Sequence, residues 1–482
     1  MPITLTSSQL LAFNKMKAFL HDQNQRVFIL KGYAGTGKTT LMKFFIEELK
    51  SSKKQFKLLA STGRAAKILS DLTGCVEGAS TIHSMIYSFA DLNQDLSDKT
   101  EKQMDETGQL FLIFEPQKVD DTDTSECVYI IDEASMVSDV ADTIVTQAKF
   151  GSGRILKELL EYDTRKGSKY IFVGDPCQLP PIQETFSPAL STSYFKQTFH
   201  LDAQEAQLVE IMRQKGGSQI VTSSKNVRSL YANAPDSPAV YGKSRVWGKL
   251  PFSSCCKLSA SLEEMIDKYI KDIRMYGYEQ AIFICKSNRA CLEISQFVRK
   301  SLGLTAPVVQ KGDLLMVTQN NILSGLVNGD MVEVLAIDKK REIRAGQVFR
   351  VVRVRELFSK RVVSVPLMES TLEMMRGNLD SVQQTALFVD FIARMKKEGI
   401  TQKNKQLFNI QMMQDPYLNA LRCSYGYAIT CHKAQGGEWP NVYVHVPRNY
   451  TLNPTKETYQ WIYTAMTRAK ESLNMVQEFY IN

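Results

Sequence analysis

Val27-Phe28-Ile29-Leu30-Lys31-Gly32-Tyr33-Ala34-Gly35-Thr36-Gly37-Lys38-Thr39-Thr40-Leu41-Met42-Lys43-Phe44-Phe45-Ile46 decides the fold. An apolar β-type run passes into a glycine-rich turn and then into an amphipathic helical pattern. That order makes G-x-x-x-x-G-K-T a phosphate loop rather than a chance turn. The glycines let successive backbone N–H groups converge on phosphate oxygens at a helix N-terminus. Gly32, Ala34, Gly35, Thr36, Gly37, Lys38, Thr39 and Thr40 are therefore the candidate cradle for ATP. Lys38 is placed to reach the β- and γ-phosphates, and the Thr39 hydroxyl to ligate Mg²⁺.

Working outward, Lys57-Leu58-Leu59-Ala60 and Val128-Tyr129-Ile130-Ile131 read as buried parallel strands, and the second runs into Asp132-Glu133. A carboxylate at the C-terminal end of a parallel strand sits where open α/β sheets bind ligands. Asp132 is thus the candidate Mg²⁺ holder and Glu133 the candidate base that orients an attacking water. A third strand, Tyr170-Ile171-Phe172-Val173, ends in Gly174-Asp175-Pro176-Cys177-Gln178, and Gln178 is a candidate sensor of the γ-phosphate.

Elsewhere the pattern changes. Residues 84–126 are too long for a connection within a sheet and predict a small inserted subdomain, with a hairpin as one form. Ala281-Ile282-Phe283-Ile284-Cys285 resumes the parallel-strand pattern, whereas 313–367 is rich in short strands and turns, like a small barrel. Residues 370–405 are polar and helical, with no assignable place. A last helix is expected to carry Tyr463-Thr464-Ala465-Met466-Thr467-Arg468.

The chain has 482 residues, 44% hydrophobic and 23% charged, a globular composition long enough for about three units. No apolar run approaches the ~18 residues that a membrane span requires, and the first residues lack a basic start before an apolar stretch, so a cytosolic home is expected. Nine cysteines and five histidines fall into no metal-ligand spacing, which argues against structural zinc. A net charge of +8 is only a hint of a polyanionic partner.

With these segments in view, the chain resembles superfamily 1 helicases of the RecD and Dda type, a group that moves 5′ to 3′ on single strands. The resemblance rests on the 32–39 loop, Ser61-Thr62-Gly63-Arg64-Ala65-Ala66-Lys67, Ser80-Thr81-Ile82-His83, Asp132-Glu133-Ala134-Ser135-Met136 and 174–178. Glu210-Ile211-Met212-Arg213-Gln214, Thr430-Cys431-His432-Lys433-Ala434-Gln435-Gly436 and 463–468 follow in the family's order.

The resemblance implies an α/β fold of two RecA-like P-loop domains. The first would span 1–195, with 84–126 as an inserted β-hairpin pin. The second would combine 196–314 with 425–482, and 315–424 would be an inserted SH3-like β-barrel subdomain with a helical extension. It further implies that Gln9 reads adenine, that Arg213 and Arg468 reach the γ-phosphate, and that Glu438 contacts the ribose. Thr62, Thr81, His83, Thr430 and His432 would line the nucleic-acid groove, and Phe114 would stack on a base at the junction. The implied activity is an ATP-dependent, 5′ to 3′ DNA helicase acting on single-stranded DNA and single/double-strand junctions. The implied setting is cytoplasmic, in a bacterial cell or phage-infected host, as a monomer alongside replication or recombination proteins. The alternative is a single-strand translocase that displaces proteins without processive unwinding.

Overall fold

A computed structural model describes residues 4–74, 78–92, 112–120, 126–141, 148–165, 167–211, 219–252, 255–375 and 377–481. Strand Val27–Gly32 shows why its sheet is covered on both faces. Phe28 and Leu30 point into one core with Leu41, Phe45 and Ile46 of the helix Lys38–Ser51. Val27 and Ile29 point into another with Leu156, Leu159 and Phe195. Successive side chains alternate across a strand, so a strand apolar at every position must be sandwiched. The full order is Ala79–Thr81, Gln55–Ala60, Cys127–Asp132, Lys169–Gly174, Val27–Gly32 and Ala203–Leu208, parallel throughout.

The last of these strands corrects the sequence reading, which ended the first domain at 195. Ala203–Leu208 pairs with Val27–Gly32 as the sheet's edge. It buries only Ala206 and Leu208, so its Gln-Glu-Ala-Gln sequence carries little strand signal; one neighbour suffices at an edge.

A second parallel sheet has the order Cys256–Ser259, Ala469–Val476, Trp439–His445, Ala281–Cys285 and Ala428–Thr430. Between Ala281–Cys285 and Ala428–Thr430 the chain forms an antiparallel sheet. There Leu314–Val317 pairs with both Met331–Ile337 and Cys423–Tyr425, so the segment leaves and returns side by side. Gln347–Glu356 pairs with Met331–Ile337, Glu342–Arg344 and Val362–Met368.

The stretch without an assigned place forms the helices Ser381–Lys397 and Lys405–Gln414. Leu387, Phe388, Phe391 and Phe408 pack there against Phe349 and Met368 of the antiparallel sheet. Arg422 fastens the first of these helices: it is fully buried and donates to Asn378 Oδ1 at 2.5 Å and Gln384 Oε1 at 2.7 Å.

A smaller sheet joins Tyr87–Leu92 antiparallel to Leu112–Pro116, with Ala148–Phe150 added parallel to the latter. Ala148–Phe150 lies beyond the 84–126 range expected for the insertion, because its three residues are too short to announce a strand. Among the described residues no helix is long and apolar enough to cross a membrane.

Candidate nucleotide and strand-binding site

The phosphate loop is shaped by glycine. Gly35 and Gly37 have φ of 78° and 77°, the left-handed region where a β-carbon is costly. At Gly32 an added Cβ would come within 2.8 Å of both Lys38 Cγ and Thr36 Oγ1. Lys38 Nζ donates to the carbonyls of Gly32 at 2.7 Å and Tyr33 at 3.2 Å, which holds its charge over the loop. Ala34 N–H is also engaged, as described below, and Thr39 and Thr40 lie in the first turn of the following helix.

Gln9 is buried beside this loop. Its Nε2 donates to Thr36 O at 3.1 Å and Gly37 O at 3.4 Å, while its Oε1 accepts Thr6 N–H at 3.0 Å in a capping box. The side chain thus fastens the N-terminal helix Ser7–His21 to the phosphate loop.

Across the sheet, strand Cys127–Asp132 delivers the two carboxyls. Asp132 Oδ1 accepts the Glu133 N–H at 2.9 Å. Glu133 has φ 50°, a left-handed conformation that costs a non-glycine residue about 1–3 kcal/mol and turns its side chain away from the strand's alternation. Burial raises the Asp132 carboxyl above its ordinary value, against the Glu133 N–H and the charge of Lys38. Burial and the Asp132 charge push Glu133 up to about 7, with Arg468 and Lys38 pulling it down.

The charge of Arg468, which precedes the strand Ala469–Val476 of the second sheet, thus reaches Glu133. Arg468 is 4% exposed and lies just past the helix Lys456–Met466 rather than within it. Its Nε donates to Thr464 O at 3.0 Å, Nη1 to Gly437 O at 3.2 Å and Nη2 to Thr467 Oγ1 at 3.2 Å.

The same helix clasps the loop after strand Lys169–Gly174. Tyr463 Oη donates to Asp175 Oδ2 at 2.8 Å and accepts the Ala34 N–H at 3.0 Å. Leu179 N donates to Thr464 Oγ1 at 2.9 Å, Gln460 Nε2 to Gln178 O at 3.2 Å, and Gln435 Nε2 to Leu179 O at 3.1 Å. The sequence reading missed Tyr463, Thr464, Gln460, Gln435 and Asp175 as binding elements. Their signal was present: Gln460, Tyr463 and Thr464 share one face at i, i+3 and i+4 of a helix buried all round, where polar groups need partners.

The residues fit a nucleotide and a divalent cation. Gln178 Oε1 and Ser135 Oγ are buried without a hydrogen-bond partner among the described residues, an arrangement that calls for a bound polar group. Thr39 and Asp132 offer the hard oxygen donors that Mg²⁺ takes.

Of the groove candidates, Thr62, Thr81 and Thr430 each directly precede a helix at the end of a parallel strand. Thr62 Oγ1 accepts the Ala65 N–H at 3.2 Å and Thr81 Oγ1 the Ser84 N–H at 3.1 Å. Burial, aided by the charge of Lys286, holds the His432 imidazole below its ordinary value. The His83 ring meets Phe150 edge-on at 5.2 Å. Phe114 stacks on Phe150 at 4.7 Å and meets Phe89 at 5.7 Å, so much of its ring is already covered. Glu438 lies 3.7 Å from Lys470. Arg213 lies outside the described residues.

The AAA domain family matches residues 5–233, and the UvrD-like helicase C-terminal domain family matches residues 425–476. The ATP-dependent DNA helicase dda of Enterobacteria phage T4 is 31% identical over 242 residues, 49% of this chain and 46% of that protein. The RecBCD enzyme subunit RecD of Buchnera aphidicola is 24% identical over 499 residues, 97% of this chain and 72% of that protein. The family matches and these relatives support a superfamily 1 helicase of the RecD and Dda type. A solved structure of Pif1 helicases at forked double-stranded DNA shares the fold, with TM-score 0.50 and 17% identity over 98% of this chain and 92% of that one. The two family matches fall on the two parallel sheets, one carrying the phosphate loop and the other Arg468.

Proposed function

We propose that this chain is an ATP-driven DNA helicase that moves 5′ to 3′ along single-stranded DNA and separates duplex at single/double-strand junctions. The observation that carries the reading is the phosphate loop and the 175–179 loop clasped by the helix that precedes Arg468, whose charge bears on Glu133. Thr39 and Asp132 would hold Mg²⁺, which would supply charge neutralisation at the phosphates. Glu133 orients and deprotonates the attacking water, and Gln178 senses the γ-phosphate. Lys38, Arg468 and Arg213 neutralise charge on the transferring group, a task worth about 10³–10⁵ in rate for one arginine finger. Gln9 reads adenine and Glu438 holds the ribose. Because these groups come from both parallel sheets, nucleotide contacts favour the closed cleft and hydrolysis releases it.

In this reading the parallel sheets are two RecA-like domains, the first ending after Leu208, and the 315–424 segment is an SH3-like subdomain with a helical extension. Thr62, Thr81, His83, Thr430 and His432 hold the strand by its backbone. The sheet of Tyr87–Leu92 and Leu112–Pro116 is the base of a pin, and Phe114 meets the junction. The protein works as a monomer in the cytoplasm beside replication or recombination proteins.

The packing of Phe114 onto Phe150 and Phe89 favours a second reading, a translocase that displaces proteins with the pin as scaffold. ATPase rates with and without single-stranded DNA, followed by unwinding of duplexes with a 5′ or a 3′ tail, test both. Opening of the 5′-tailed duplex alone supports the helicase. Stimulation without opening supports the translocase, and no stimulation overturns both.

A further inference from the structure

Arg64 belongs to the helix Gly63–Thr73 beside the first sheet, yet its guanidinium lies in an aromatic slot built by the rest of the chain. It stands 4.5 Å from the centre of the Trp439 ring and 4.9 Å from that of Phe358. Trp439 opens a strand of the second parallel sheet, and Phe358 follows the antiparallel strand Gln347–Glu356. One side chain thus touches all three units of the molecule. It is 6% exposed, and its Nε has no hydrogen-bond partner among the described residues. Burial and the charge of Arg468 lower the guanidinium to about 10, with Asp330 and Glu356 opposing, so it is a cation at neutral pH.

Glycine makes this approach possible. A Cβ on Gly437 would come within 2.9 Å of Arg64 Nη2, one on Gly436 within 3.3 Å of Ala65 Cβ, and one on Gly63 within 2.5 Å of Val327 Cβ. Gly437 in turn gives its carbonyl to Arg468 Nη1. On the other side, Thr62 caps the first turn of Arg64's helix. Thr62, Arg64, Gly437 and Arg468 therefore form an unbroken series of covalent, packing and hydrogen-bond contacts.

We propose that Arg64 is a positioning residue that transmits strand binding at the Ser61-Thr62 turn, through the Gly437 backbone, to Arg468 at the nucleotide. The inference rests on the strand-binding reading given above. Movement of the helix's first turn carries Arg64, and Gly437 has no free space on that side, so the segment 437–439 moves with it. The Gly437 carbonyl then shifts the Arg468 guanidinium relative to Glu133. Two discrete placements of a packed segment are the form that such coupling takes in close-packed proteins.

Arg64→Ala, Arg64→Lys and Phe358→Ala test the role. Phe358 is 45% exposed, so its loss leaves the fold intact even where Arg64→Ala does not. Each variant is checked by thermal melting, by anisotropy binding of a fluorescent oligo-dT, and by ATP turnover with and without that oligonucleotide. The ratio of stimulated to unstimulated turnover is expected to fall about tenfold in Arg64→Ala and less in Phe358→Ala, with partial recovery in Arg64→Lys and oligo-dT binding retained. Wild-type stimulation that persists at the same ratio in Arg64→Ala and Phe358→Ala overturns the relay and leaves the helicase reading intact. Equal loss of both rates in all three variants makes Arg64 a structural tie and also overturns it. A wild-type protein that oligo-dT does not stimulate overturns the strand reading, and the relay with it.

Discussion

The phenol of Tyr463 donates to Asp175 Oδ2 at 2.8 Å, and the two residues stand 288 positions apart in the chain. The same oxygen accepts the Ala34 N–H, so one hydroxyl joins the phosphate loop, the 175–179 loop and the helix that precedes Arg468. Tyr463 is 1% exposed, and burial pushes its hydroxyl well above the ordinary phenol range, so it stays a donor. Tyr463→Phe leaves two buried groups unsatisfied at a cost of about 1–3 kcal/mol. A urea titration is expected to show that loss, accompanied by a higher KM for ATP; an unchanged midpoint means that the bond contributes nothing in solution.

Lys38→Ala and Arg468→Ala separate binding from chemistry. Lys38→Ala is expected to abolish turnover. Arg468→Ala is expected to lower kcat by about 10³-fold or more while a fluorescent ATP analogue still binds, because in the proposed reading the guanidinium acts on charge that develops in the reaction. Undiminished ATPase in Lys38→Ala removes the phosphate-loop assignment.

Glu133 gives a pH signature of defined sign. Its folded value near 7 lies above its ordinary value near 4.5, so the folded protein binds the proton more tightly than the unfolded chain does. Stability contributed by this group is complete below about pH 4.5 and is lost as pH rises toward 7. Glu133→Gln removes that loss, so the nucleotide-free protein is expected to gain about 1–3 kcal/mol at neutral pH while losing turnover. Chemical denaturation at pH 5 and pH 8 checks this: the gain appears at pH 8 and fades at pH 5, and an equal gain at both contradicts it.

Phe114→Ala divides the two functional readings. If the ring works at a junction, strand-stimulated ATPase is retained while unwinding of a 5′-tailed duplex slows. If the ring serves only to pack on Phe150 and Phe89, melting falls and both activities decline together.

Asp163 predicts acid sensitivity away from the cleft. Burial alone would raise its carboxyl, but hydrogen bonds from Arg165, Ser168 and Tyr129 outweigh it and hold the group at about 2. The stabilisation is present above the ordinary carboxylate value and is lost as pH falls toward 2. Asp163→Asn is expected to cost about 2 kcal/mol at pH 7 and markedly less near pH 3, measured by urea denaturation at both.

The phosphate-loop and acidic-pair motifs are legible in local sequence. The phosphate loop is read from glycine and lysine spacing within one strand-turn-helix, and Asp132-Glu133 from an apolar run that ends in acid. Such signals are local: the φ of Gly37 and the end of a strand follow from residues a few positions away. Even the left-handed turn at Glu133 lies within one residue of the strand it ends. What those groups face depends on long-range packing. Leu179 meets Thr464 across 285 positions, Arg64 enters a slot between Trp439 and Phe358, and Ala203–Leu208 closes the first sheet with almost no apolar pattern of its own. The helices Ser381–Lys397 and Lys405–Gln414 had no place in a linear reading because their apolar faces are matched by Phe349 and Met368, and no periodicity names the surface that a helix will cover. Buried polar partners and edge strands depend on which elements become neighbours, and that is fixed only when the whole chain packs.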